Sequence, residues 1–183
     1  MEGLKRGARD YRKYVRQAAL ESLGQIDSKE TLEPLFENLK FNHYDIQMLA
    51  HKQLLNFDHD MLLEPTLEAL GQSSDTLRRW AIKLLDDIGD PDTIHHMIAA
   101  LDDENIIVRR TAVKALGNLG DKRAVSPLIN LVNDPDEFTR RFAVISLGQI
   151  GDPSAQDAVR SALDDEDEKV RQAAEDSLTH LVE

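Results

Sequence analysis

One spacing constrains this chain more than any other feature. The sequence repeats every 31 residues, without slippage, in copies beginning at Val15, Ile46, Leu77, Val108, Thr139 and Val170. Counting those residues as position 0, position 4 is alanine in every copy: Ala19, Ala50, Ala81, Ala112, Ala143 and Ala174. Position 8 is leucine each time: Leu23, Leu54, Leu85, Leu116, Leu147 and Leu178. Position 11 is always large and apolar, as in Ile26, Phe57 and Ile88. Positions 0, 4, 8 and 11 share one face at 3.6 residues per turn, so each copy opens with an amphipathic helix.

A second helical pattern fills the rest of each copy. Position 24 is Leu39, Leu70, Leu101, Val132 and Leu163, and position 17 is Leu32, Leu63, Ile94 and Val125 before Gln156 breaks the series. Proline at position 19 (Pro34, Pro65, Pro127) falls in the first turns of this second helix, where a missing N–H is tolerated. Gly89-Asp90-Pro91, Gly120-Asp121-Lys122 and Gly151-Asp152-Pro153 end one helix on glycine and open the next on aspartate. The return turns are acidic, around Asp102, Asp134 and Asp164. Nothing reads as a strand.

A single helix pair cannot bury its apolar face, so neighbouring pairs must stack. The expectation is one all-α domain over residues 1–183. It is a right-handed α-solenoid of about six helix–turn–helix repeats behind a degenerate N-terminal cap helix in residues 1–14. The copy at Ile46 has drifted furthest, with Asn56-Phe57-Asp58 in place of a glycine turn, and is the expected place for looser packing. A last helix running to Leu181-Val182-Glu183 leaves room for end-to-end contact, although a monomer is favoured.

Composition narrows the function classes. The chain has 34 acidic and 22 basic residues, a net charge of −12, so its overall field repels nucleic acid and anionic membrane. It has no cysteine, which removes disulfides, thiolate metal sites and cysteine nucleophiles. No apolar run approaches the roughly 18 residues of a membrane span, and the N-terminus lacks the apolar stretch of a secretory signal. A cytoplasmic protein is expected.

The segments VRRTAVKALGNLGDKRAVSPLINLVNDPD from Val108 and TRRFAVISLGQIGDPSAQDAVRSALDDED from Thr139 resemble the short HEAT-like repeats named after phycobilisome lyases. The resemblance runs from about residue 15 to 183. It implies that the first helix of each pair lines a concave face and the second a convex one. It also implies a ladder in which an inter-helix aspartate pairs with the arginine six residues on: Asp103 with Arg109, Asp134 with Arg140, Asp165 with Arg171. The copies at Ile46 and Leu77 depart, with Phe41 before Gln47 and Gln72 before Arg78.

The side of the first helix opposite the core holds the candidate site. Its cations are Lys52, Arg79, Lys83, Arg110, Lys114 and Arg141, opposed on the same positions of copies two to five only by Asp87. Trp80 and Phe142 stand beside them, with Met48, Leu49, Thr111, Asn118, Ile145 and Gln149 completing the proposed partner-binding groove. Arginine with an aromatic is the composition of binding hot spots and suits an acidic segment of a protein or peptide. The alternative is an ordinary solvated face, with Trp80 and Phe142 packed at the core border.

Catalytic and metal signals are weak. The six histidines make no His-Glu dipeptide, which argues against the paired motifs of HEAT-like deoxyhypusine hydroxylases, and adjacent His95 and His96 point about 100° apart on a helix. The acidic turns lack calcium-loop spacing and suit helix capping. No metal or cofactor is expected. The leading function is therefore a non-catalytic interaction scaffold, with catalysis not excluded. One alternative is a phycobilin lyase-like tetrapyrrole-binding protein using Arg79, Lys83, Arg110 and Arg141 beside Trp80 and Phe142. A second is a nucleic-acid-binding protein like the HEAT-like alkylpurine glycosylases, which the net charge opposes.

Overall fold

The computed structural model describes residues 1–181, so the chain end considered for end-to-end contact, Val182 and Glu183, lies outside the described residues. Those residues form twelve α-helices and no strand. They fall into two compact units that meet at Ile88 and Gly89, in the turn inside the third copy.

The first unit holds α1 (Glu2–Gly7), α2 (Lys13–Leu23), α3 (Leu32–Leu39), α4 (Tyr44–Leu54), α5 (His59–Leu70) and α6 (Asp75–Ile88). The second holds α7 (Ile94–Ala99), α8 (Ile106–Leu119), α9 (Val125–Asn130), α10 (Glu137–Ile150), α11 (Gln156–Ser161) and α12 (Glu168–Leu178). The even-numbered helices α2 to α12 are the first helices of the six copies, and α3 to α11 are the second. In the second unit each second helix begins as a 3₁₀ turn. Asp121 and Asp152 open two of these turns, their carboxylates accepting the amides of Arg123 and Ser154.

The 31-residue register sets the core. The position-4 alanines are between 0 and 5% exposed, and five of the six position-8 leucines are fully buried. Two glycine roles separate in the Gly-x-x-Gly segments. Gly120 and Gly151 end α8 and α10 with φ +68°, the left-handed conformation that costs other residues a steric penalty. Gly117 and Gly148 sit one turn earlier and let helices touch: a Cβ on Gly148 would lie 2.6 Å from the Ser177 Cβ. Gly117 meets Ser146 in the same way, so α8, α10 and α12 stack at close range. In the copy at Ile46 the matching residue is Leu55, an exposed leucine in place of the glycine. Accordingly α4 and α6 lack that close backbone approach.

Two expectations need correction. Pro34 and Pro127 do lie in the first turn of α3 and α9. Pro65 does not: α5 starts at His59, which leaves Pro65 inside the helix. The Thr66 hydroxyl beside it donates to the Leu62 carbonyl at 2.7 Å.

The Asp–Arg ladder also differs from the resemblance. Arg109, Arg140 and Arg171 donate to the backbone carbonyls of Asp103, Asp134 and Asp165, at 2.8, 3.0 and 2.6 Å. The carboxylates of those aspartates instead accept the amides of Asn105, Asp136 and Asp167. Because a carbonyl is the acceptor, the bond survives where the aspartate is missing. Gln47 donates to Phe41 O at 2.7 Å and Arg78 to Gln72 O at 3.0 Å; the first copy keeps an aspartate, and there Arg16 donates to Asp10 O at 3.1 Å. Every copy thus ties its first helix to the turn before it. Arg140 reaches further, with a buried bidentate pair to Asp165 of the next copy at 2.8 and 2.9 Å.

Candidate functional site

The side chains that break the burial rule mark one set of helices. Apart from Met1 and Tyr11, the exposed large apolar residues lie on or beside first helices: Tyr14, Tyr44, Met48, Leu55, Ile107, Phe138 and Ile145. Exposed apolar groups gathered on one face are a mark of interaction sites. Each unit presents such a face.

In the first unit, Tyr44, Met48 and Lys52 form an exposed stripe along α4, with Leu49 turned toward the core. Arg79 and Lys83 are half-buried on α6. Trp80 is 1% exposed, so it is a core residue and does not line a groove. Its partner explains why. Position 1 is arginine in five copies but Gln47 here. Gln47 Oε1 accepts from Trp80 Nε1 at 3.1 Å and from Arg79 Nη2 at 3.3 Å. The indole thereby finds a buried acceptor, which a buried tryptophan requires. The His51 ring packs 5.0 Å from the indole, and its Nε2 lies 2.9 Å from Asp87 Oδ2 without hydrogen-bond alignment. Burial, with Lys83 nearby, pushes the His51 pKa below its ordinary value against the pull of Asp87, so the ring is held neutral.

In the second unit the cations are sorted by their partners. Arg110 is tied to Asp136 at the start of α10 by two hydrogen bonds, one of 2.8 Å from Nε and one from Nη2. Asp136 also caps α10, accepting the Thr139 amide at 2.8 Å and its hydroxyl at 2.7 Å. These bonds, that of Arg110 foremost, hold the Asp136 carboxyl down at about 2. Arg110 is therefore an inter-repeat strut. Lys114 and Arg141 differ: among the described residues no carboxylate pairs with either. Both stack on Phe142, with Lys114 Nζ 5.1 Å and the Arg141 guanidinium 5.2 Å from its ring centre. Phe138 extends the stack, its ring 5.3 Å from Arg141 and 4.6 Å from Arg110.

The stack runs Arg110, Phe138, Arg141, Phe142, Lys114, and the sequence reading missed Phe138. A signal existed. The position before the copy is large and apolar in three of the six, as Tyr14, Ile107 and Phe138, against Asp45, Thr76 and Lys169 in the others. Beyond the stack, a groove of about 710 Å³ runs between α10 and α12. Phe142, Ile145 and Gln149 line it from α10, and Lys169 and Ala173 from α12. Thr111 contributes little, since its hydroxyl donates to Ile107 O within α8 at 2.7 Å. Asn118 is exposed at the far end of that helix.

The acidic return turns are occupied in capping, as Asp136 and Asp167 illustrate. The rings of His95 and His96 stack 3.9 Å apart despite their divergent Cα–Cβ directions. Among the described residues no helix is long and apolar enough to cross a membrane.

Residues 94–179 match the family described as HEAT repeats, and residues 77–103 match the PBS lyase HEAT-like repeat. No curated protein matches the chain. Among solved structures, a designed armadillo repeat protein in complex with peptide (KR)4 is 18% identical, with a TM-score of 0.62 and 98% of each chain covered. The complex of CpcE and CpcF of phycocyanin lyase from Nostoc is 20% identical, with a TM-score of 0.57, covering 99% of this chain and 64% of that one. Human deoxyhypusine hydroxylase in complex with glycerol is 22% identical, with a TM-score of 0.58, covering 97% and 72%. At such identities the likeness is one of fold, an all-α solenoid of stacked helix pairs.

Proposed function

We propose that this chain, a HEAT-like repeat protein, is a non-catalytic scaffold that binds an acidic segment of a partner protein on the exposed face of its first helices. One observation carries the reading. Lys114 and Arg141 have no carboxylate partner among the described residues, yet their positions are fixed against Phe142 beside an open groove. Cations held over aromatic faces keep their remaining N–H donors free for a ligand carboxylate, at little further cost in side-chain entropy. Ile145 and Phe138 add exposed apolar area for anchoring.

The designed relative with a similar fold is described in complex with a Lys-Arg peptide, the opposite charge preference. The cations of this face favour an acidic ligand instead. The tetrapyrrole reading loses two of its contacts, because Trp80 is buried and Arg110 is engaged by Asp136.

The test is capture of partners from host lysate by the wild-type chain and by a Lys114→Glu, Arg141→Glu variant. Arg110 is left intact because reversing it would unseat Asp136. The proposal expects an acidic protein held by the wild type and lost from the variant, with no coloured ligand in the eluate. Equal retention by both forms would remove this face from the account, and a bilin-like absorbance would replace the scaffold with the tetrapyrrole reading.

A further inference from the structure

A second groove lies on the opposite kind of helix, between α3 and α5 of the first unit. It encloses about 510 Å³. Its floor is apolar, with Phe36, Met61 and Pro65 half-buried. Its walls are acidic, with Glu33 and Glu37 one turn apart on α3 and Glu64 and Glu68 one turn apart on α5.

The two walls are not equivalent. Arg9 neutralises the α3 wall, bonding Glu37 at 2.8 and 3.0 Å and approaching Glu33 at 3.6 Å. Among the described residues no cation pairs with Glu64 or Glu68. Like charges four residues apart on a helix repel and destabilise it, so α5 carries an uncompensated pair directly above an apolar floor. Lys29 and Lys40, also in the lining, are the local positive charges besides Arg9.

We propose that this groove is a docking site for a cationic amphipathic helix of a partner protein. A helix seated between α3 and α5 would lay its apolar face on Phe36, Met61 and Pro65. Lysine or arginine residues one turn apart on its flank would match the one-turn spacing of Glu64 and Glu68. The site is independent of the first-helix face and prefers the opposite charge, so one chain can join an acidic and a basic partner.

The test uses a capped helical peptide of repeating Leu-Lys-Lys-Leu units, its binding read by fluorescence anisotropy. Saturable binding is expected, weakened roughly tenfold in a Glu64→Gln, Glu68→Gln variant and weakened again by Phe36→Ala. A Glu168→Gln, Glu175→Gln variant carries the same change in net charge on the other unit and should bind as the wild type does. Lys114→Glu, Arg141→Glu should not weaken it, which separates this site from the first. No saturable binding would overturn the proposal, as would equal binding by the wild type and the Glu64→Gln, Glu68→Gln variant. Equal weakening by the Glu168→Gln, Glu175→Gln variant would overturn it too, by reducing the effect to overall charge.

Discussion

Asp136 shows how one side chain can fix both a helix start and a joint between repeats. It caps α10 through Thr139 and anchors Arg110 on α8. Its pKa of about 2 in the fold lies below the roughly 3.9 of an unfolded aspartate, so its stabilisation is present above that value and fades as pH falls toward 2. Asp136→Asn should therefore cost about 1–3 kcal/mol at neutral pH. In urea melts the gap between variant and wild type should close as pH drops from about 4 to about 2. A gap that stays constant over that range would mean the carboxylate charge plays no part. At this scale the sequence was only partly legible. The spacing put Trp80 at the border of the core, and its burial was decided by a residue on another helix, Gln47, which a single-helix projection does not show. The sign of each cation on the face could likewise be read, but not that Asp136 had already engaged Arg110.

The elements follow the register closely because position 4, position 8 and the glycines each answer to one local requirement. Alanine and glycine admit close helix approach, and the result is the tight stacking of α8, α10 and α12. Gly148→Ala would bring a methyl group within 3.0 Å of the Ser177 Cα and should cost about 1–3 kcal/mol through overpacking. A thermal melt unchanged by this substitution would contradict the stacking described. The joint between α4 and α6 is built differently, around the buried Trp80, whose indole meets Gln47 and His51 of α4. With less backbone contact to open, amides of α4 should exchange at least roughly tenfold faster than those of α10. Equal protection would show that side-chain packing fully replaces the glycine contact. The drift of the Ile46 copy was visible in the sequence. The interior placement of Pro65 was not, because an earlier start of α5 at His59 follows from the altered turn rather than from any apolar periodicity.

For the molecule as a whole, a net charge of −12 coexists with faces of opposite character. The repeat explains how: each of the first five copies presents a first helix and a second helix whose exposed residues are free to diverge while the core positions stay fixed. The all-α repeat fold was legible because that core recurs six times. The proposed partner surface was less so, since it rests on unlike residues such as Phe138, Lys114 and Arg141 that meet only in the folded chain. The most direct test of the central claim is a nitrogen-15 NMR titration with a peptide of repeating Asp-Glu-Phe-Leu units. The scaffold account predicts saturable shifts concentrated at Lys114, Arg141, Phe142 and Ile145. Shifts confined to the second helices, or none at saturating peptide, would contradict it.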